Sequence, residues 1–284
     1  MTILMTGLCE KGADQIWKQC NDAMYAQGVT WLEEAAYAGD AEAWFLLGHC
    51  YSWGDGAVGF NEKKAYECYL RGASAGSARA VLGALRAGQY DEQMKKSARY
   101  SIEESYRQVR DAAEMGDVYA AWQMGEAVEW EDLADYMPQT ESAREQCLFW
   151  YERAADGGII PAMVKMGKCC QNGTYREKDE KEALRWANQC AASGEVWGLF
   201  QMGEHYRQEE DWEAAFQYDY AAAKQGSSRA MLYLGQMYLN GQGTERDIQA
   251  AVQALENAAA RNEAESFEEL GNLFYQDELV ERDD

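Results

Sequence analysis

Gly39-Asp-Ala-Glu-Ala-Trp-Phe-Leu-Leu-Gly48 sets two glycines nine residues apart, and the pair returns at Gly116/Gly125, Gly158/Gly167, Gly194/Gly203 and Gly226/Gly235. Weaker copies stand at Gly76/Leu85 and Asn262/Gly271. Successive first positions are 32 to 42 residues apart. A period of this size marks an array of supersecondary units, each packed mainly on its neighbours. Because the array runs nearly end to end, it leaves no room for a separate catalytic domain.

Each copy predicts two helices. Helix A opens between the glycines, with a small residue four positions after the first one: Ala43, Ala80, Ala120, Ala162, Gly198, Ala230, Ser266. A large apolar residue follows in most copies: Trp44, Val81, Met163, Leu199, Met231, Phe267. Small against large at fixed offsets lets helices approach and interlock. The second glycine falls inside this helix, where it costs about 1 kcal/mol against alanine. Its recurrence predicts a helix crossing with no space for a side chain. Helix B precedes each first glycine and ends in an alanine pair, as in Ala35-Ala36, Ala112-Ala113 and Ala222-Ala223. A large residue, Trp31, Trp150, Trp186 or Tyr218, stands eight positions before the glycine, which itself suits a left-handed C-cap. Polar, glycine-bearing loops such as Asn172-Gly173 and Asn240-Gly-Gln-Gly243 join A to B. Only two prolines, Pro138 and Pro161, interrupt the chain.

The segments Ala230-Met-Leu-Tyr-Leu-Gly-Gln-Met-Tyr-Leu-Asn-Gly-Gln-Gly, Ala43-Trp-Phe-Leu-Leu-Gly-His-Cys-Tyr51 and Trp150-Tyr-Glu-Arg-Ala-Ala-Asp-Gly157 resemble the Sel-one-like repeat family, a relative of tetratricopeptide repeats. The resemblance covers about residues 30–276 and implies an all-α fold, an α/α superhelical solenoid of about seven helix-turn-helix repeats. It also implies a scaffold that holds other proteins or peptides, usually without catalysis. The expected organisation is a degenerate N-terminal cap over 1–30, with Gly28 breaking the pattern before Trp31, the solenoid over 31–276, and a fraying acidic tail over 277–284. Copy two, with Leu85 for its glycine, and copy three, with an insertion from Glu129 to Thr140, are expected to be the least regular.

Offsets +3, +7, +10 and +14 from the first glycine share one face of helix A. In copy one they carry Glu42, Leu46, His49 and Trp53; in copy three Tyr119, Gln123, Glu126 and Trp130; in copy five Trp197, Gln201, Glu204 and Gln208; in copy six they begin Arg229, Tyr233, Gln236. These positions vary while the packing offsets stay uniform. By resemblance to tetratricopeptide arrays, helix A lines the concave surface, so the stripe is the expected partner-binding face. Aromatics flanked by glutamate suit a peptide with apolar anchors and Lys or Arg. The competing reading is that the aromatics pack on the neighbouring repeat.

The chain carries 26 basic and 49 acidic residues, a net charge of −23. That balance disfavours nucleic acid and anionic membranes and favours a basic protein or peptide, chiefly through faster encounter. It also motivates a more specific alternative, an inhibitor or immunity protein that neutralises a basic toxin or nuclease. Acidity alone also serves solubility. The N-terminus, Met1-Thr-Ile-Leu-Met-Thr-Gly-Leu-Cys9, lacks a basic start and no apolar run approaches a membrane span, so the chain reads as cytoplasmic. Eight cysteines recur in no single register and are expected as buried thiols. His49 and His205 are distant, no Cys-x-x-Cys occurs and no glycine motif makes a phosphate loop, so neither metal nor cofactor is expected. The runs Glu129-Trp-Glu-Asp132 and Gln208-Glu-Glu-Asp211 could be read as catalytic carboxylates of a hydrolase, with a Cys nucleophile as a variant. Solvated faces are the plainer reading.

Overall fold

The computed structural model describes residues 7–18, 22–54, 58–129 and 143–282. Sixteen helices follow one another among them. The A helices are α3 (Ala41–Trp53), α5 (Ala78–Arg86), α8 (Val118–Glu129), α10 (Ile160–Asn172), α12 (Val196–Gln208), α14 (Ser228–Asn240) and α16 (Ala264–Arg282). The B helices are α2 (Asp22–Tyr37), α4 (Glu62–Ala75), α7 (Ile102–Glu114), α9 (Ala143–Asp156), α11 (Glu180–Ala192), α13 (Trp212–Lys224) and α15 (Ile248–Ala259). Helix α1 (Gly7–Trp17) pairs with α2, and the short α6 (Glu92–Ser97) lies between α5 and α7. The helices group into two compact units, residues 1–180 and 181–284.

The first glycine and the residue after it make one junction, repeated in every copy. Gly39, Gly76, Gly116, Gly158, Gly194 and Gly226 all have φ between 82° and 104°, and Asn262, the least regular, has φ 61°. The next residue donates its N–H back to the first member of the alanine pair or its equivalent: Asp40 to Ala35, Ser77 to Gly72, Asp117 to Ala112, Ser227 to Ala222. This six-to-one bond closes helix B as a Schellman turn. In most copies the same residue then caps helix A, Ile159 being an exception. Asp40 accepts from Glu42 and Ala43, Ser77 from Ala80, Glu195 from Gly198 and Ser227 from Ala230. One dipeptide thus ends one helix and starts the next.

The second glycine is the crossing point. A Cβ on Gly48 would lie 2.7 Å from the Tyr69 ring, on Gly125 2.7 Å from Tyr151, on Gly203 2.4 Å from the Asp219 carboxylate and on Gly235 2.6 Å from Leu255. All four partners stand seven residues before the next first position, so one site on helix B always presses on the glycine. Copy two solves the crossing differently. Gly83, two residues ahead of Leu85, also meets the Tyr69 ring, at 2.7 Å. Helix α5 has only nine residues, and α6 fills the stretch before α7.

Two expectations need amendment. Gly28 does not break helix α2, which runs through it, because α1 crosses there: a Cβ on Gly28 would sit 3.0 Å from the Gly12 carbonyl. The C-terminal stretch 277–282 continues α16 as helix. The copy-three insertion, with Trp130, Glu131, Asp132 and Pro138, lies outside the described residues, as does Cys20. The other seven cysteines are buried.

Candidate functional site

On α3, α5 and α8 of the unit of residues 1–180, the stripe of helix A faces is closed over by neighbouring elements, whereas on α10 Pro161 and Lys168 are exposed. Arg79, at offset +3 of copy two, has no exposed surface and joins two acids: its Nε lies 3.7 Å from Glu42, and a second nitrogen pairs with Asp117. Burial raises the Glu42 carboxyl above its ordinary range, and Arg79 offsets only part of that. Gln123 donates from Nε2 to the Arg79 carbonyl at 3.0 Å. The Tyr119 hydroxyl donates to Asp14 at 2.7 Å and its ring meets Trp17.

Two turns along each helix, offset +10 builds a second layer. His49 Nε2 lies 3.8 Å from Glu126, which also pairs with Arg86. Burial works against a charge on Glu126, but His49 and Arg86 together hold its carboxyl below the usual range. The His49 ring is bounded by Trp17, Phe45, Trp53 and Trp122, the last at 4.8 Å. Arg86 stacks on Trp53 with its guanidinium carbon 4.9 Å from the ring centre. Phe45, Tyr69 and Gln123 complete a cavity of about 20 Å³ beside this layer, room for roughly one water.

These positions depart from the expected free face: Glu42, His49, Tyr119 and Gln123 are all buried, and Glu126 is nearly so. Their partners come from other copies and from α1: Arg79 from copy two, Glu126 from copy three, Asp14 and Trp17 from α1. Of this stretch only Trp53, half exposed, offers a large surface, while Trp130 lies outside the described residues.

The unit of residues 181–284 keeps the same columns open. Trp197, Gln201 and Glu204 on α12 and Tyr233 and Gln236 on α14 are part-exposed, and Arg229 is exposed. Gln201 reaches Glu204 at 3.4 Å, and Gln236 donates to Glu269 of α16 at 2.9 Å. The Tyr233 ring lies 6.0 Å from Phe200 and carries the Arg207 guanidinium 3.7 Å above it. Arg207 also pairs with Asp219, the fully buried residue pressed on Gly203. Burial raises Asp219 to about 6 despite Arg207. The result is a polar and aromatic face with solvent on one side.

Sequence reasoning passed over Arg79 and Arg86, though both fall in the +3 and +10 columns of copy two. Reading the columns across copies gives Glu–Arg–Tyr and His–Arg–Glu, opposite charges that can neutralise one another. Asp219 was equally visible as the one acid in a column of Leu32, Tyr69, Val109, Tyr151, Ala187 and Leu255.

Chemistry of other kinds finds little support in the side chains. Burial pushes the thiols of Cys68 and Cys147 up to about 12 and of Cys169 to about 11, away from the thiolate a nucleophile needs. Asp211 in the second acidic run is the N-cap of α13, accepting from Ala214. Among the described residues, no group of three or more His, Cys, Asp or Glu is placed to hold a metal ion, and no helix is long and apolar enough to cross a membrane.

Comparison with known proteins agrees with this architecture. The fold matches the crystal structure of a Sel1 repeat protein from Oxalobacter formigenes with a TM-score of 0.59 at 24% identity, over 94% of this chain and 76% of that one. It also matches c5321, a protective antigen of uropathogenic Escherichia coli displaying an SLR fold, with a TM-score of 0.51 at 19% identity, over 96% of this chain and 65% of that one. At these identities the likeness concerns the fold alone. In sequence, the uncharacterized protein NMB1327 of Neisseria meningitidis serogroup B is 28% identical over 174 residues, 60% of this chain. The chain spans only about a third, 34%, of that relative's length. The Sel1 repeat model matches residues 23–40, 41–77, 118–159, 160–195 and 228–263, more than half of the sequence, and the chain belongs to the Sel1 repeat family.

Proposed function

We propose that this protein is a non-catalytic scaffold that holds a segment of another protein on the open helix A face of residues 181–284. Sel1 repeat proteins generally act as protein-interaction scaffolds. The observation that carries the finer reading is the contrast between equivalent columns: buried at Glu42, His49, Tyr119 and Gln123, but part-exposed at Trp197, Gln201, Glu204, Tyr233 and Gln236 and exposed at Arg229, although Trp197 also packs on the core of its unit. Aromatic rings held in place by packing, as Tyr233 is by Phe200 and Arg207, are suited to anchor a partner at low entropic cost. Glu204 and Glu269 beside them favour Lys or Arg in the bound segment. A cytoplasmic setting belongs to this reading.

The test begins with capture from the native cell and identification of bound proteins by mass spectrometry. Affinity is then measured for the parent and for Trp197→Ala/Tyr233→Ala. Loss of two central anchors is expected to weaken binding by roughly 30-fold or more, about 2 kcal/mol. Unchanged affinity would remove these residues from the site.

The net charge of −23 also favours a narrower version, in which the partner is a basic toxin or nuclease that the chain neutralises. A tight complex whose association slows steeply between 50 and 500 mM salt would support it, and weak, salt-independent binding would exclude it.

A further inference from the structure

Asp219 breaks the rule of its column. The place seven residues before each first position is otherwise held by Leu32, Tyr69, Val109, Tyr151, Ala187 and Leu255, all apolar. Asp219 is fully buried there, and its Oδ1 has no hydrogen-bond partner. Burial opposes its charge even though Arg207 pairs with the other oxygen. A buried ion pair is seldom more stabilising than an apolar residue of similar volume, and Leu255 against Gly235 shows that this crossing accepts one. Packing therefore gives no reason for the acid, which points to what the pair does for the surface above it.

Arg207 stands between two acids. It reaches from α12 to Asp219 on α13, while Glu204 lies three residues back on its own helix, on the same face. Arg207 and Glu204 are the charged side chains that face Asp219, and Tyr233 of α14 meets the pair through Arg207. Held by Asp219, the guanidinium lies 3.7 Å over the Tyr233 ring and 5.5 Å from Phe200, with only 12% of the side chain exposed. Glu204 is part-exposed, with Gln201 3.4 Å away. If Asp219 loses its charge, Glu204 is the acid left beside Arg207, and pairing there neutralises it. We infer that Asp219 is a positioning residue for the helix A face: by keeping Arg207 on Tyr233 it leaves the Glu204 carboxylate to a Lys or Arg of the bound segment, and when it is neutral Arg207 takes that place. The inference rests on the function proposed above and adds to it a control from α13, behind the binding face.

The probe is a fluorescein-labelled peptide, Trp-Lys-Trp-Lys-Trp-Lys, titrated with the full chain and read by anisotropy. His205, next to Glu204, is replaced by Gln in every protein compared, so that its imidazole adds no pH step. Asp219→Asn is expected to weaken binding about 4-fold at pH 7.5, the worth of one exposed ion contact. The parent is expected to lose the same factor between pH 7.5 and 5, as Asp219 takes up its proton near pH 6, whereas Asp219→Asn lacks this step. Adding Arg207→Gln to Asp219→Asn removes the displaced cation and is expected to restore the affinity of the parent, which a merely structural role of Asp219 would not allow. Equal affinity of parent and Asp219→Asn at pH 7.5 would overturn the inference, as would a loss that Arg207→Gln does not reverse, where Trp197→Ala/Tyr233→Ala still abolishes binding. Binding that Trp197→Ala/Tyr233→Ala leaves unchanged would instead refute the reading of the face. The Arg207 Nε–Hε signal in nuclear magnetic resonance spectra of the unliganded chain decides the positioning role without the peptide. In Asp219→Asn at pH 7.5 it is expected at the position the parent takes at pH 5, and an unmoved signal would overturn the inference.

Discussion

Replacing Arg79 with methionine probes how the repeats of residues 1–180 lock together. The guanidinium is fully buried between Glu42, 3.7 Å from its Nε, and Asp117. Methionine is close in volume, so the main change is electrostatic rather than a cavity. It strands the Glu42 carboxylate in the interior, while Asp117, with 20% of its side chain exposed and one oxygen bonded to the Ala120 amide, is partly compensated. Breaking one side of a buried pair costs about 3–5 kcal/mol, and the access of Asp117 to water puts the expected loss near 3 kcal/mol at pH 7.5. The loss depends on pH in a defined sense. Without Arg79 the folded-state pKa of Glu42 rises further above its unfolded value of about 4.3, so the folded variant binds a proton that the unfolded chain does not. The variant is therefore least stable above that raised pKa and recovers as pH falls, narrowing its gap to the parent between pH 7.5 and 5. Urea unfolding followed by tryptophan fluorescence at several pH values measures this directly. Adding Glu42→Gln removes the stranded charge and is expected to restore about half of the loss. A cost below ~1 kcal/mol, or a gap that does not move with pH, would refute the assignment of this triad as a buried electrostatic lock.

Two further substitutions test other joints. Gly48→Ala places a methyl group 2.7 Å from the Tyr69 ring, against which Gly83 also packs; overpacking of about 1–3 kcal/mol exceeds the helix-propensity gain of up to ~1 kcal/mol, so the melting temperature is expected to fall, and Tyr69→Leu in the same chain to return part of it. Asp219, raised to about 6 from an ordinary 3.8, makes the folded state of residues 181–284 the better proton acceptor; its ionisation is a cost present above pH 6 and relieved between pH 6 and 4, worth up to about 3 kcal/mol, and Asp219→Asn is expected to flatten that part of the stability profile.

The repeat junction was legible because its demands are local. A left-handed residue, a capping side chain and an alanine pair must occur at fixed spacing, and Gly39-Asp40, Gly116-Asp117 and Gly226-Ser227 display all of it in the sequence. The crossing glycine was legible for a similar reason, since its absent side chain implies a neighbour, although the identity of that neighbour came only with the fold. What could not be read within one copy was whether the face of helix A stays open. Glu42 and His49 look like surface residues in isolation. They are buried because Arg79 and Glu126 arrive from later copies, 37 and 77 residues away in sequence. Gly28 misled in the opposite direction: a glycine before a tryptophan resembles a break, but here it admits α1 at 3.0 Å from the Gly12 carbonyl.

The two units use the same helical columns for different ends, and the difference lies in how charge alternates from copy to copy. Along the first three copies, offset +3 reads Glu42, Arg79, Tyr119 and offset +10 reads His49, Arg86, Glu126, so each acid has a cation within reach on the adjacent A helix, whereas copy four carries Pro161 and Lys168 there and leaves both exposed. Neutralised in this way, the layers can be covered, and the solvation lost by each charge is offset by its neighbour. Along residues 181–284, the corresponding positions are Trp197, Arg229 and Glu265, then Glu204, Gln236 and Asn272. Within residues 181–284 no cation answers Glu204 in its own column, Lys168 being the member that copy four supplies, and Arg207 is drawn toward Asp219 on helix α13. Covering this face with the chain's own repeats would bury an unneutralised carboxylate, so Glu204 and its neighbours stay at the water boundary. In the function proposed above, a partner that brings Lys or Arg would supply the missing member of the column, which ties the acidity of the chain to the part-exposed face.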